Sequence, residues 1–295
     1  MVETSDEWTV ERTGIRERRI AAPDETSSTM GARAGLAAIE SAQIDPATID
    51  LVIAGTCTPD GMFPAVATRI QHAVGAIGAG AFDVNAACNG FMSALSTAVQ
   101  YVAAGTAERV LVVGTETLSR IVDWTDRATC ILFGDGAGAV VLERSVEGEP
   151  GRVDAMLLRS DGSQAGLLWA SGPCTPGAEG ITQEARIVMD GRAVFRSAVN
   201  ALVETSTEAL VRVGLPMERV YVNVDRYGNT SSATIPIALA EAEADGRLKP
   251  GDRVLLAAFG GGLSWSAMVL EWAGVRASRA GTGIAAAVAS TGARG

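Results

Sequence analysis

Histidine is almost missing from this chain. Among 295 residues there is one, His72, which excludes any site that needs a pair of imidazoles and limits the available acid–base chemistry near neutral pH. Cysteine is sparse as well. Cys57, Cys88, Cys130 and Cys174 are the only four, and none are set in C-x-x-C spacing, so the pattern speaks against a zinc ribbon or disulfide framework and for reduced thiols. No stretch approaches the ~18 consecutive apolar residues of a membrane span. The acidic start, Met1-Val2-Glu3-Thr4-Ser5-Asp6-Glu7, lacks the apolar segment of a signal peptide. Positive charge is in deficit, 24 basic against 34 acidic residues for a net charge of −10, with no long basic run; nucleic acid is not an expected partner. A soluble, cytoplasmic protein with no membrane association, built as one large or two small domains, is expected.

What is present centres on residues 81–105. A short apolar strand (Ala81, Phe82, Val84) runs into a turn of small residues, Asn85-Ala86-Ala87-Cys88-Asn89-Gly90, and then into apolar positions at helical spacing: Phe91, Met92, Leu95, Ala98, Val99 and Val102. This puts Cys88 at a helix N-terminus, where unpaired N–H groups and the helix dipole favour thiolate over thiol. The residue pattern leaves two readings, a nucleophile or a small buried hydrophobe.

Upstream, Trp8 stands beside Arg12, Arg16, Arg18 and Arg19, either a solvated face or an indole and guanidinium set suited to a nucleotide base and its phosphates. Ser27-Ser28-Thr29 predicts the start of a helix to about Ala42, and Leu51-Val52-Ile53-Ala54 a buried strand. In the loop that follows, which contains Met62 and Phe63, Pro64 suits the first turn of the next helix, the helix that carries His72. Arg109 to Gly114 predicts a strand covered on both faces. A long loop from residue 116 to 136 holds Trp124, Asp126, Arg127 and Cys130 and ends in Phe133-Gly134-Asp135-Gly136-Ala137-Gly138. These glycines resemble a phosphate cradle, but the strand that follows them points to close backbone approach instead.

The second half echoes the first. Arg253 to Ala258 repeats Arg109 to Gly114, and Met268 to Trp272 repeats Val140 to Arg144. Tyr221-Val222-Asn223-Val224, a Gly228-Asn229-Thr230-Ser231-Ser232 turn and an alanine-rich helix again give strand, turn and helix, with Asn229 as the expected counterpart of Cys88. The expected fold class is therefore α/β, two related β/α halves whose turns face each other. One element is missing from half two. The helix over about Ala193 to Val213 is followed only by Gly214-Leu215-Pro216-Met217-Glu218 before the next expected strand, with no counterpart of the strand, loop and helix that occupy this place in half one. Half one in turn lacks the opening strand that half two has at Val153 to Leu158. The expected division is residues 1–150, 151–272 and a flexible tail at 273–295, where the apolar period is lost.

Five ordered motifs carry a resemblance: Thr4-Ser5-Asp6-Glu7-Trp8 with Glu11-Arg12-Thr13-Gly14-Ile15, Asp83 to Phe91, Phe133 to Gly138, Tyr227 to Ser232, and Phe259-Gly260-Gly261-Gly262. Over Glu3 to Trp272 the chain resembles β-ketoacyl-acyl carrier protein synthase III, a thiolase-fold condensing enzyme that starts type II fatty acid synthesis. The resemblance implies that Cys88 is the acylated nucleophile, that Asn229 helps hold the malonyl thioester, and that the N–H groups of Cys88 and Gly261 form the oxyanion hole. It assigns Trp8, Arg12 and Arg127 to coenzyme A, Phe63 to the partner's acyl pocket across a homodimer interface, and Arg196 to docking of the acidic acyl carrier protein. Acyl-CoA is then a substrate, with no tightly bound cofactor and no metal.

The family's catalytic histidine belongs to the unit absent from half two. Acylation of Cys88 with impaired condensation is the expectation; the alternatives are a non-catalytic dimer partner or scaffold, and a Cys88/His72 hydrolase.

Overall fold

The structure, a computed structural model, describes residues 2–145, 148, 150–172, 185–210, 219–274, 285–289 and 293–294. Cys174 and Leu215-Pro216 lie outside them. The chain opens with α1 (Asp6–Thr13), β1 (Arg19–Ile20) and α2 (Ser27–Ala42). Thr26 caps α2, exchanging hydrogen bonds with Thr29 in a capping box, so the helix starts where the hydroxyl cluster predicted.

Next come β2 (Leu51–Gly55), α3 (Val66–Ala73), β3 (Gly80–Val84), α4 (Gly90–Ala103) and β4 (Arg109–Glu116). The α3 helix does not begin at Pro64. Ala65 offers no capping side chain, and the two Asp83 carboxylate oxygens accept the Val66 and Ala67 N–H groups at 2.7 Å each, which fixes the start two residues later. A short α5 (Arg127–Cys130) leads to β5 (Gly136–Glu143), and β2, β3 and β4 pair in parallel while β5 runs antiparallel to β4. The all-apolar β2 is buried at every position, as a strand covered on both faces must be.

In the second half lie β6 (Arg152–Ser160), the small hairpin pair β7 (Leu168–Ala170) and β8 (Ile187–Met189), α6 (Gly191–Leu210), one-turn α7 (Val224–Tyr227), α8 (Thr234–Ala244), β9 (Arg253–Gly260) and β10 (Ser264–Glu271). The repeat is exact in register: Arg109 pairs opposite Glu143 between β4 and β5, and Arg253 opposite Glu271 between β9 and β10. Among the described residues the second sheet has three strands, ordered β6-β10-β9. Tyr221 to Asn223, expected as a strand, is irregular and Val224 opens a helical turn instead. Without the adjoining strand of the absent unit, these residues have no ladder to join among the described residues.

The tail expectation also changes. Ala285–Ala289 forms β11, antiparallel along β5, and Ala293–Arg294 forms β12 on β1. The outer edge of β5 presents a row of N–H and C=O groups, and with no opening strand in half one this later segment covers it.

Two cores sit on opposite faces of the five-stranded sheet. Ile70 of α3, Val74 just after it, and Met30 and Ile39 of α2 pack with Val52, Ala54, Leu111 and Val113 on one face. On the other, Phe91, Met92 and Leu95 of α4 and Leu239 of α8 pack with Ile53, Val110 and Val112, then with Leu256, Met268, Leu270 and Trp272 of the second half. Trp272, Phe91 and Met268 are among the largest fully buried side chains, each contributing roughly 1.5–3 kcal/mol by burial. The two halves thus share one core, with α4 and α8 between the sheets.

Candidate active site

The parallel strands β2, β3 and β4 all end on one side, and the turns that follow them meet there, as ligand sites do in α/β sheets. Two glycines make this approach close. A Cβ on Gly55 would stand 2.6 Å from the backbone of Gly90 and Phe91, and one on Gly114 would stand 2.2 Å from the Ser232 carbonyl oxygen. Any larger residue at either position displaces the start of α4 or the second-half turn.

The Cys88 turn is tight. Asn85 Oδ1 accepts the Ala87 N–H at 3.2 Å, Asn89 N–H donates to Ala86 O at 3.0 Å, and Ala87 itself is left-handed at φ 46°. A non-glycine residue there stores ~1–3 kcal/mol that the surroundings must hold. Ser231 is the corresponding left-handed residue of half two, at φ 53°. This corrects the alignment of the repeat: Ser232, which like Cys88 follows the left-handed residue and stands two positions before its helix, is the counterpart of Cys88. Asn229 lies three residues earlier.

The two turns interlock. Ser232 Oγ donates to Ala87 O at 2.9 Å, while Asn229 pairs through its backbone with Leu132 O at 2.8 Å and the Gly134 N–H at 3.0 Å. The Asn229 side chain is exposed, with Oδ1 accepting the Ser231 N–H at 2.8 Å. Among the described residues its amide nitrogen has no acceptor. A Cβ on Gly260 would come within 2.8 Å of Cys88 N, and one on Gly261 within 3.5 Å of the Ala87 Cβ, so the end of β9 lies against the Cys88 turn. The Cys88 turn thus adjoins both the second-half turn that carries Asn229 and the strand end at Gly260-Gly261.

The thiol does not behave as its position at a helix end predicts. Cys88 is half-buried, and withdrawal of its sulfur from water pushes the thiol up to about 11, against a hydrogen bond from Ser231 and its own backbone N–H that pull it down; the Glu116 carboxylate adds to the rise. Desolvation is the largest of these effects. The Cys57 thiol is held well above its ordinary value, first by burial and then by Glu116.

Glu116 and Ser231 are the site residues that sequence reasoning missed. Glu116 is fully buried at the C-terminal end of β4, where the sequence suggested the start of a loop. It accepts hydrogen bonds from Thr58 Oγ1 at 2.6 Å, Thr56 Oγ1 at 3.3 Å, the Cys57 N–H at 3.1 Å and Ser231 Oγ at 3.2 Å. An acidic residue closing the run Arg109-Val110-Leu111-Val112-Val113-Gly114-Thr115 was the available signal.

The second cluster is assembled by α1 and α5. The Arg12 and Arg127 guanidinium carbons lie 4.2 and 4.6 Å from the Trp8 ring centre, and both arginines are exposed. Trp8 also packs on Leu118, Val122, Ile131 and Phe133 together with Cys57, so this cationic aromatic cluster adjoins the thiol site.

The remaining candidates lie elsewhere. Phe63 is 85% exposed and its neighbour Met62 70%; Arg196 is exposed on α6. His72 is exposed in the last turn of α3, across the sheet from α4, which removes the Cys88/His72 pair. Asp135 of the glycine-rich motif is buried and serves the fold, accepting Ser119 N–H at 2.8 Å, Ser119 Oγ at 2.5 Å and Ala21 N–H at 2.8 Å.

Two family sequence models match this chain, 3-oxoacyl-[acyl-carrier-protein] synthase III over residues 82–162 and its C-terminal counterpart over residues 198–272. Among curated proteins, a β-ketoacyl-[acyl-carrier-protein] synthase III of Methylococcus capsulatus is 49% identical, covering 92% of each chain, and one of Erythrobacter litoralis is 46% identical with the same coverage. Among solved structures, the 3-oxoacyl-[acyl-carrier-protein] synthase III of Aquifex aeolicus superposes with a TM-score of 0.83 at 40% identity, covering 91% of this chain and 92% of that one. The priming β-ketosynthase of the R1128 polyketide biosynthetic pathway gives 0.85 at 36% identity, covering 92% and 90%.

Proposed function

Because the chain belongs to the β-ketoacyl-acyl carrier protein synthase III family, an acyltransferase family that condenses an acyl-CoA primer with malonyl-acyl carrier protein, we propose that it acylates Cys88 from acyl-CoA and is impaired in the condensing step. The observation that carries this reading is the pairing of an assembled thiol site with a missing imidazole. Cys88 stands beside the second-half turn and the Gly260-Gly261 strand end, whereas the only histidine of the chain is on the far face of the first sheet.

Thiolate attack on a thioester needs a positioned sulfur and donors for the developing oxyanion, which the N–H groups of Cys88 and Gly261 supply in this reading. The condensing half-reaction needs more. As malonyl thioester loses carbon dioxide, negative charge develops on the thioester oxygen, and Asn229 alone offers one amide donor and no proton transfer near pH 7. Removing one such donor costs on the order of 10²–10³ in rate.

Trp8, Arg12 and Arg127 would take the adenine and phosphates of coenzyme A, since paired guanidinium groups around an indole suit a base with phosphates attached. Arg196, exposed on a strongly acidic chain, is assigned to the acidic carrier protein. Exposed Met62 and Phe63 support a homodimer in which Phe63 enters the partner's acyl pocket. Acyl-CoA is a substrate here, and no tightly bound cofactor is assigned. Intact-mass spectrometry after exposure to acetyl-CoA tests the reading: one acetyl group is expected on wild type and none on Cys88→Ser, and an unmodified wild-type chain would contradict it.

A further inference from the structure

The edge of β9 that faces away from β10 is open. In the first sheet β4 is flanked on both sides, by antiparallel β5 and parallel β2, whereas β9, which repeats β4 in register, has only β10 beside it among the described residues. The difference shows in burial. Every β4 residue after Arg109 is buried, but Val254, Leu255, Ala257 and Phe259 of β9 are only half-buried. Val220 and Val222, in the segment without a ladder, are 46% and 60% exposed. An uncovered apolar edge is a template for another strand.

The first half shows what fits such an edge. There the place beside β4 is filled by β2, an all-apolar strand that runs parallel to it and is buried at every position. Gly80 N–H donates to Asp50 O and Thr56 N–H to Val84 O, so the even-numbered residues of this strand face β3, and Leu51 and Ile53 turn their backbone groups to β4. Asp50, just before the run, closes the start of β4. Its Oδ2 accepts the N–H groups of Glu108 at 2.7 Å and Arg109 at 3.0 Å. Arg253 is the counterpart of Arg109, and among the described residues no carboxylate accepts its N–H. At the other end β9 stops at Gly260, against the Cys88 turn. A strand parallel to β9 therefore leaves the sheet beside the thiol site, as residues 56–58 leave β2 to reach Glu116.

We propose that the open edge of β9 is a docking site for one parallel strand of another polypeptide, an acidic residue followed by an apolar run the length of β2. The acidic side chain closes the start of β9 at the Arg253 N–H, as Asp50 closes β4. The run adds a strand to the sheet and covers the half-buried side chains. This chain holds no spare segment of that pattern. Its β2 is engaged between β3 and β4, and the stretches outside the described residues contain no acidic residue followed by an apolar run. A second copy fits less well, because two β9 edges related by a twofold axis run antiparallel and Arg253–Gly260 contains no acid to meet Arg253.

The test uses the full chain and three fluorescent peptides: the sequence from Ile49 to Thr56, the same peptide N-methylated at Leu51 and Ile53, and a form carrying Asp50→Ala. Anisotropy should show saturable binding of the first. The N-methylated form keeps every side chain but loses the donors that face the edge, and should bind at least about tenfold more weakly; the Asp50→Ala form should bind several-fold more weakly. Hydrogen exchange at Leu255 and Ala257 should slow in the complex. None of these readouts depends on acylation of Cys88. No saturable binding of the first peptide, equal binding of either altered form, or binding without protection of Leu255 and Ala257 overturns the proposal. So does an oligomer of this chain that the first peptide dissociates in sedimentation equilibrium, which assigns the edge to a second copy.

Discussion

The Arg127 guanidinium of α5 and the Arg12 guanidinium of α1 both lie against the Trp8 indole, at 4.6 and 4.2 Å from the ring centre, although 115 residues of sequence separate the two arginines. Their association puts two surface cations on one aromatic face, the surface proposed for coenzyme A. Replacing either by Ala should weaken coenzyme A binding by roughly 1–3 kcal/mol, the range of a charge-assisted, partly desolvated phosphate contact. Titration calorimetry reads this directly. Unchanged affinity in both folded variants removes the groove from the account.

Thiol reactivity follows from burial. Cys88, half-buried, should be alkylated ahead of Cys57, whose thiol is held well above its ordinary value and contacts Glu116, and ahead of Cys130, which the fold encloses. Peptide mapping after brief iodoacetamide treatment checks the order among these three. The rise of the Cys88 thiol to about 11 has a stability consequence. A group whose folded value lies above its unfolded value near 9 contributes fully below pH 9 and loses that contribution as pH rises through about 11, so urea midpoints should fall across that alkaline window and recover part of the loss in Cys88→Ala.

Asp135 has a structural task that its glycine-rich setting disguises. Its carboxylate collects three donors, from Ser119 twice and from Ala21 once, and thereby joins the N-terminal segment to the loop after β4. Asp135→Ala strands these donors in a buried place and should cost about 3 kcal/mol or more; Asp135→Asn, which keeps acceptors, should cost less. Equal urea midpoints for the two variants would contradict this assignment.

Much of the fold was legible because burial sets a strict period. The all-apolar runs at Leu51 and Arg109 and the 3.6-residue spacing after Cys88 appear in the structure as β2, β4 and α4. Tyr221 to Asn223 was not legible. Its residues favour a strand, but a strand needs a neighbour, and among the described residues the second sheet offers none there. Nor was β11, since an alanine-rich segment carries no period and is specified by the open edge of β5 it covers. At the site, Cys88, Trp8, Arg12 and Arg127 announced themselves by residue type. Ser231 and Glu116 did not, because a serine in a serine-rich turn and an acid at a strand end acquire their meaning only when two halves of the chain close on each other. For Cys88, local sequence shows the helix end but not the burial that raises its thiol.

The central claim is that acylation and condensation have come apart in this chain, and release of labelled carbon dioxide from malonyl-acyl carrier protein, measured alongside the acyl-enzyme on Cys88, tests it most directly. The account predicts that the acyl-enzyme forms while carbon dioxide is released at least 10²-fold below the ~1–10³ per second ordinary for enzymes, with His72→Ala leaving both unchanged. Carbon dioxide release at an ordinary enzymatic rate, coupled to loss of the acyl group from Cys88, would contradict it.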